Sequence, residues 1–294
     1  MAEEKRYRQG IVTFLDLLGF RDLLQNRSPA ELSELLGLFR STGNPKKAVP
    51  HDEFDDMFEY AALSDCFFRT AETSHTTNRE HPTGHLFHEL MAIIFVQCRL
   101  LQEGHLIRGA VTYGEYCAER DDYGSALFGP AIAKAYELES KYARYPRVVV
   151  DPHLIEQFWH SDLLKNVIHD HKFEWNEYLS TLLRQDDNGV WFIDYLRGIS
   201  GNFDDEPEGT VSFYLKHKQL VEERLKEWVA SNKAGPDSIS EKLLWLLQYH
   251  NSVMNGFTKK DWELLLSPEE CSWEREDFFI DPPQHALFKA YPPI

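Results

Sequence analysis

The sequence predicts an α+β fold. Two observations carry the prediction. Short β-branched or apolar runs occur at 10–13, 58–63, 66–69, 106–116 and 147–150, and each reads as a buried strand. Between them lie stretches with apolar residues at helical spacing, giving the order strand, helix, hairpin, helix, strand, helix, strand.

The opening strand, Gly10-Ile11-Val12-Thr13, runs into Phe14-Leu15-Asp16-Leu17-Leu18-Gly19-Phe20. Asp16 ends the strand, and Gly19 lets the backbone turn tightly. A carboxylate at a strand end beside such a turn is placed either to hold a divalent cation or to cap the next helix. A helical turn follows over 21–26. Ser28-Pro29-Ala30-Glu31 opens a helix with a capping serine, proline at the first position and an acid in the first turn. Leu32, Leu35, Leu36 and Phe39 form its apolar face, and Gly43-Asn44-Pro45 stops it. The runs 58–63 and 66–69 form a hairpin with Asp65 at its tip. The strongest helical pattern spans 84–103, with Leu86, Leu90, Ile93, Ile94, Cys98 and Leu101 on one side and Gly104 at its end. Leu106 to Tyr116 is a strand whose glycines permit close backbone approach. Residues 121–124 make a turn. Gly129-Pro130 opens a helix with the stripe Ile132, Ala135, Tyr136 and Leu138, and 147–150 is a buried strand.

Beyond this point the pattern is weaker. A helix is expected over 154–159, a turn at 187–189 and a strand over 190–196. Two amphipathic helices are expected over 210–230 and 240–255. The acidic loop near 201 divides the chain into a first domain, 1–200, and a C-terminal helical extension, 201–294, packed on it.

The chain has 294 residues, with 31 Lys and Arg against 48 Asp and Glu, for a formal charge of −17. That acidity argues against a nucleic-acid-coating surface, though not against a small polyanion carrying its own metal ions. No stretch reaches the ~20 apolar residues of a membrane span. No signal-peptide apolar region follows Met1, and Cys66, Cys98, Cys117 and Cys271 are scattered without a C-x-x-C pair. These features predict reduced thiols in the cytoplasm, with neither membrane nor nucleic acid as partner. His81, His85 and His88 lack a third ligand type, and Asp52, Asp55 and Asp56 lack the pattern of a calcium loop. His169-Asp170-His171 reads as a polar loop, and Trp245, Tyr249 and His250 as packing or dimer contacts.

Four short stretches, in order, resemble the class III nucleotidyl cyclases. Leu15 to Phe20 resembles that family's first metal motif, with leucine for its phenylalanine and isoleucine. Asp65 corresponds to the hairpin aspartate. Arg108-Gly109-Ala110-Val111-Thr112-Tyr113-Gly114 resembles the following strand, and Phe128-Gly129 the opening of the next helix. The resemblance covers roughly residues 10 to 150. It implies a ferredoxin-like cyclase, or palm, sheet with helices on one face. It also implies Asp16 and Asp65 as ligands of two Mn2+ or Mg2+ ions per site, joined by the Leu17 carbonyl, with Gly19 and Phe20 amides facing phosphate.

The departures narrow the reading. Ala133 and Glu137 stand where the family places a transition-state asparagine and arginine. Arg108 is the first choice of substitute cation and Lys134 the second. Ala61 and Ala126 stand where purine-reading side chains belong, and Phe58 and Tyr60 are available to narrow the pocket. The pattern is more similar to the pyrimidine cyclases of bacterial Pycsar antiphage systems. That resemblance implies a homodimer making cyclic UMP from UTP. The alternatives are CTP as substrate, or a degenerate cyclase fold that binds a nucleotide or partner as a regulator. A palm polymerase or diguanylate cyclase is disfavoured by the acidic surface and the missing Gly-Gly-Asp/Glu-Glu/Asp-Phe hairpin.

Overall fold

Residues Gly10 to Leu15 are buried without interruption, on both faces of the strand that contains them. A strand apolar at consecutive positions requires cover on both sides, and the surrounding elements supply it. The computed structural model describes residues 6–43, 58–73, 83–121, 124–200, 207–231, 237–267 and 272–284. His81, the 52–56 acids, Cys271 and most of the 201–209 loop lie outside the described residues.

The chain divides into two units. The first takes in Met1–Leu100 and His105–Asp194. Its elements run β1 (Arg8–Leu17), α1 (Phe20–Asn26), α2 (Pro29–Gly43), β2 (Phe58–Leu63), β3 (Cys66–Glu72), α3 (His85–Gln102), β4 (Ile107–Asp121), β5 (Gly124–Phe128), α4 (Pro130–Tyr142), β6 (Val148–Val150), α5 (Pro152–His160), α6 (His171–Glu177), β7 (Leu183–Gln185) and β8 (Trp191–Ile193). The sheet order is β2-β3-β1-β4-β6-β8-β7, with β5 paired to β4. β1 is antiparallel to both β3 and β4, and β4 is parallel to β6. The fold is thus α+β with a mixed sheet.

Alternation along β1 assigns its side chains. Thr13 turns to α3, where its hydroxyl donates to Glu89 at 2.7 Å. Arg69, paired in register with Thr13, meets the same carboxylate at 3.1 Å. Phe67, opposite Leu15, packs against Phe39 of α2, so α2 and α3 share a face. Val12 and Phe14 point the other way and pack with Ala131 and Ala135 of α4. The expected one-sided cover therefore describes α2 and α3, while α4 lies on the opposite face. Gly109 meets an expectation directly: a Cβ there would lie 2.2 Å from the Phe14 carbonyl oxygen, so β1 and β4 approach this closely only with glycine.

Several local signals hold. Ser28 and Glu31 cap α2 reciprocally: the Ser28 N–H donates to Glu31 at 2.8 Å, and the Glu31 N–H donates to the serine hydroxyl at 3.3 Å. Others do not. Asp170 caps a helix, α6, rather than lying in a loop, and His169 pairs with the buried Glu174 at 2.7 Å. The strand expected over 190–196 ends at Ile193, and a helix, α7 (Tyr195–Ile199), follows. A short apolar run does not distinguish strand from buried helix by periodicity. His85 is buried, and His88 bonds Thr83 at 3.2 Å.

The second unit takes in Tyr195–Ile294 and Leu101–Gly104. After α7 it contains α8 (Pro207–Ala230), α9 (Ser238–Gly256), α10 (Lys259–Leu265) and a 3-10 turn at Arg275–Phe278. His217 and His250 stack in its interior with ring centres 5.0 Å apart. His250 also bonds the Phe278 carbonyl oxygen at 2.7 Å, tying the C-terminal turn to α9. Burial pulls its pKa down to about 4, so it is neutral near pH 7. Trp245 stacks on Tyr249 at 4.9 Å, so this aromatic group packs within the unit. Cys66, Cys98 and Cys117 are free thiols, and no helix among the described residues is long and apolar enough to cross a membrane.

Glu89→Ala leaves the Arg69 guanidinium buried without its carboxylate. Removing one partner of such a pair costs about 3–5 kcal/mol, which urea unfolding followed by tryptophan fluorescence will read. A loss below about 1 kcal/mol would mean that the pair behaves like a surface ion pair.

Candidate active site

Asp16 lies one residue from the end of β1, opposite Cys66 of β3 and Arg108 of β4. Beyond that pair the Leu17 N–H donates to the Asp65 carbonyl oxygen at 3.0 Å, which draws the β2–β3 turn against the end of β1. Ser64 makes that turn in the left-handed region, at φ 55°. The result places Asp65 beside Asp16, near enough for their charges to act on one another.

Arg108 connects this corner to α4. Its Nε donates to Asp16 Oδ2 at 2.9 Å and lies 2.7 Å from Glu139 Oε1. Glu139 is 3% exposed, and its Oε2 accepts from the Ser140 hydroxyl at 3.2 Å. Its Oε1 receives no hydrogen bond. An arginine Nε carries one hydrogen, and here Asp16 takes it. Leaving a buried oxygen unbonded costs about 1–3 kcal/mol.

Charge and burial conflict here. Desolvation raises the Asp16 pKa, the Arg108 hydrogen bond and charge oppose the rise, and Asp65 adds to it. Glu139 is likewise raised by burial, against Arg108 and with Asp16. Burial and the two aspartates push the Cys66 thiol up, so it stays protonated. Two carboxylates, Asp16 and Glu139, thus share one guanidinium, and a third, Asp65, acts on Asp16. Among the described residues no group of three or more His, Cys, Asp or Glu could hold a metal ion by itself. Asp16, Asp65 and the Leu17 carbonyl are nevertheless hard oxygen donors. Such a partial set suits Mg2+ or Mn2+ when phosphate oxygens and water complete the shell. The donor chemistry and the excess negative charge fit a divalent cation.

The other expected residues divide by strand face. Ala61 pairs with Phe68, which pairs with Phe14, so all three share the Asp16 face. Phe58 and Tyr60 lie on the other face, a correction to the expected pocket. Phe58 packs under the Arg69 guanidinium at 4.3 Å, and Tyr60 lies 5.6 Å from the Phe67 ring. The aromatics on the Asp16 face include Phe14 and Phe68, 4.5 Å apart, and the buried Tyr116, with Tyr136 of α4 5.7 Å from Phe14. Gly19 is exposed with φ 78° and precedes α1, whose first residue, Phe20, is buried. Ala126 is exposed in β5 opposite Glu119. Lys134 lies on the exposed side of α4 with Ala133 and Glu137, away from the buried stripe that ends in Glu139. Glu139 was legible in principle: it continues the Ala131-Ala135-Leu138 stripe, and an acid on an apolar helix face requires a buried partner. Phe68 was legible from the same alternation that excludes Phe58 and Tyr60.

No protein-family profile and no curated protein matches this sequence. Solved structures do. A bacterial light-regulated adenylyl cyclase matches at 15% identity and TM-score 0.40, over 53% of this chain and 46% of that one. The guanylyl cyclase domain of the RhoGC fusion protein from the aquatic fungus Blastocladiella emersonii matches at 15% identity and TM-score 0.38, over 51% and 85%. A class III adenylyl cyclase-like ATP-binding protein from Pseudomonas aeruginosa matches at 14% identity and TM-score 0.39, over 59% and 40%. The first of these matches spans less than half of the other protein's length.

A carboxyl whose pKa is higher in the folded than in the unfolded chain weakens folding as pH rises past the unfolded value, and the cost is complete above the folded value. Asp16 is such a group, raised from 3.8. Asp16→Asn should therefore be more stable than the wild type at pH 7, with the advantage vanishing below about pH 4. Thermal unfolding across that range measures it. An Asn variant less stable at neutral pH would show that the Arg108 ion pair outweighs burial.

Proposed function

We propose that this protein is a divalent-metal-dependent nucleotidyl cyclase that converts UTP to 3',5'-cyclic UMP and pyrophosphate, a second messenger in antiphage defence. The observation that carries the reading is the Leu17–Asp65 hydrogen bond, which sets the hairpin carboxylate beside Asp16. Together with the four motif-like stretches in order, it supports a site for a nucleoside triphosphate. In the reaction the ribose 3'-hydroxyl attacks the α-phosphate and pyrophosphate leaves. Cations held by Asp16, Asp65 and the Leu17 carbonyl would lower the hydroxyl pKa and neutralise the leaving group. Gly19 and Phe20 lie at the turn that meets the phosphates, and Arg108 is the nearest protein cation for the charge developing there.

The base pocket is read from the same face. Ala61 offers no hydrogen bond to a purine, and Ala126 on β5 offers none either. Phe68, opposite Ala61, supplies the bulk that Phe58 and Tyr60 do not. UTP over CTP, and the defence role, rest on the Pycsar resemblance. Lys134, exposed on α4, is the second candidate cation, acting in the site of a second chain. Exposed Leu63 at the hairpin, Phe128 at the end of β5 and Tyr136 on α4, at 77%, 43% and 60% accessibility, support a homodimer, and its head-to-tail arrangement rests on the cyclase resemblance. Ala133 and Glu137, in place of the usual asparagine and arginine, favour a second reading: a nucleotide-binding regulator without turnover.

The deciding experiment incubates the protein with equimolar ATP, GTP, CTP and UTP and Mn2+ and identifies the products by mass. Cyclic UMP should dominate. Asp16→Ala or Asp65→Ala should lower turnover by at least about a hundredfold. Cyclic AMP or cyclic GMP as main product would overturn the pocket, and cyclic CMP only the choice of uracil. Nucleotide binding without any product would favour the regulator.

Light scattering at assay concentration tests assembly. A dimer is expected, and a fully active monomer would refute a site shared between chains.

A further inference from the structure

The geometry points to Glu139 as a positioning residue that competes with Asp16 for Arg108 and so sets how readily Asp16 is released to a cation; this rests on the metal-binding role proposed for Asp16. Arg108 Nε has two carboxylate oxygens within reach, Asp16 Oδ2 at 2.9 Å and Glu139 Oε1 at 2.7 Å. It has one hydrogen to give. The hydrogen goes to Asp16, and Glu139 Oε1, buried and closer, receives none. A small rotation of the guanidinium transfers the bond to Glu139. That rotation satisfies the buried oxygen and frees Asp16 Oδ2.

Two arrangements therefore share one hydrogen. With Arg108 on Asp16, the aspartate is neutralised and occupied. With Arg108 on Glu139, Asp16 and Asp65 present uncompensated oxygens that only a cation relieves. Glu139 is fixed for this part. It is 3% exposed, sits on the buried face of α4 and has its second oxygen held by Ser140. Arg108, at 32% side-chain exposure, is the member free to swing.

The position of Glu139 sets what its substitution does. A glutamine there loses the charge that draws the guanidinium and accepts only a weaker hydrogen bond, so Arg108 stays on Asp16 and a cation must displace it. An aspartate keeps the charge but shortens the reach. Removal of Arg108 frees Asp16 outright and makes Glu139 irrelevant to cation binding.

The test measures Mn2+ binding to the intact chain by electron paramagnetic resonance of the free ion, without nucleotide. Glu139→Gln should weaken Mn2+ binding about tenfold, the size of one charge-assisted hydrogen bond. Arg108→Gln should strengthen it. In the Arg108→Gln background, Glu139→Gln should change it by less than about twofold. An equal effect in both backgrounds would mean that Glu139 acts by charge alone, and no effect in either would make its role structural; both overturn the proposal. Thermal melting checks that each variant is folded. Should Glu139→Gln fail to fold, Glu139→Asp takes its place, with weaker Mn2+ binding expected and unchanged binding overturning the idea. Wild-type protein that binds no Mn2+ refutes the metal assignment and this proposal together, whereas Mn2+ bound with no cyclic product spares this proposal and refutes the cyclase activity.

Discussion

The strand β1 is the constraint on which the first unit depends. Both of its edges are paired, to β3 and β4, and both of its faces are covered. No register shift is tolerated in such a strand, because a slip of one residue exchanges its two faces. The odd positions then commit to α3 through the Thr13, Glu89 and Arg69 group. The even positions commit to α4 through Val12 and Phe14. Asp16 is the first even position past this apolar run, so the order that packs the core also aims the carboxylate at Arg108.

This placement has a cost that the surroundings only partly offset. Burial works against the charge on Asp16 and on Glu139, and one guanidinium serves both. A fold selected for stability alone would fill such a corner with apolar side chains, which are often neutral or better in place of buried ion pairs. Excess carboxylate charge concentrated at the end of a rigid strand is instead suited to receiving a cation. Precision comes from the backbone: the Leu17–Asp65 hydrogen bond fixes the hairpin tip without using either carboxylate.

The second unit meets the problem of buried polar groups differently. Its stacked histidines are drawn to the neutral form by burial and joined by hydrogen bonds to Tyr195 and to the Phe278 carbonyl. Asn251 exchanges two hydrogen bonds with the Ile280 backbone, each 2.9 Å long. These contacts give a short aromatic segment around the 3-10 turn a defined place on α9.

What the sequence determined by itself was local. Apolar runs located β1 to β4, β6 and β8 but not β5 or β7, capping residues located the start of α2, and glycine marked the approach of β4 to β1, because each signal is encoded within a few residues. Asp16 and Asp65 were legible as candidates for the same reason, whereas Arg108 came only through the cyclase resemblance. Only the tertiary structure decided which faces meet. Phe68, and neither Phe58 nor Tyr60, shares the face of Asp16, because pairing register, rather than proximity to Asp65 in the chain, sets the face of a strand residue. Lys134 and Glu139 lie on one helix five residues apart, and its rotation on the sheet turned the first to the surface and the second to Arg108. Their roles depend on an angle that no local pattern records.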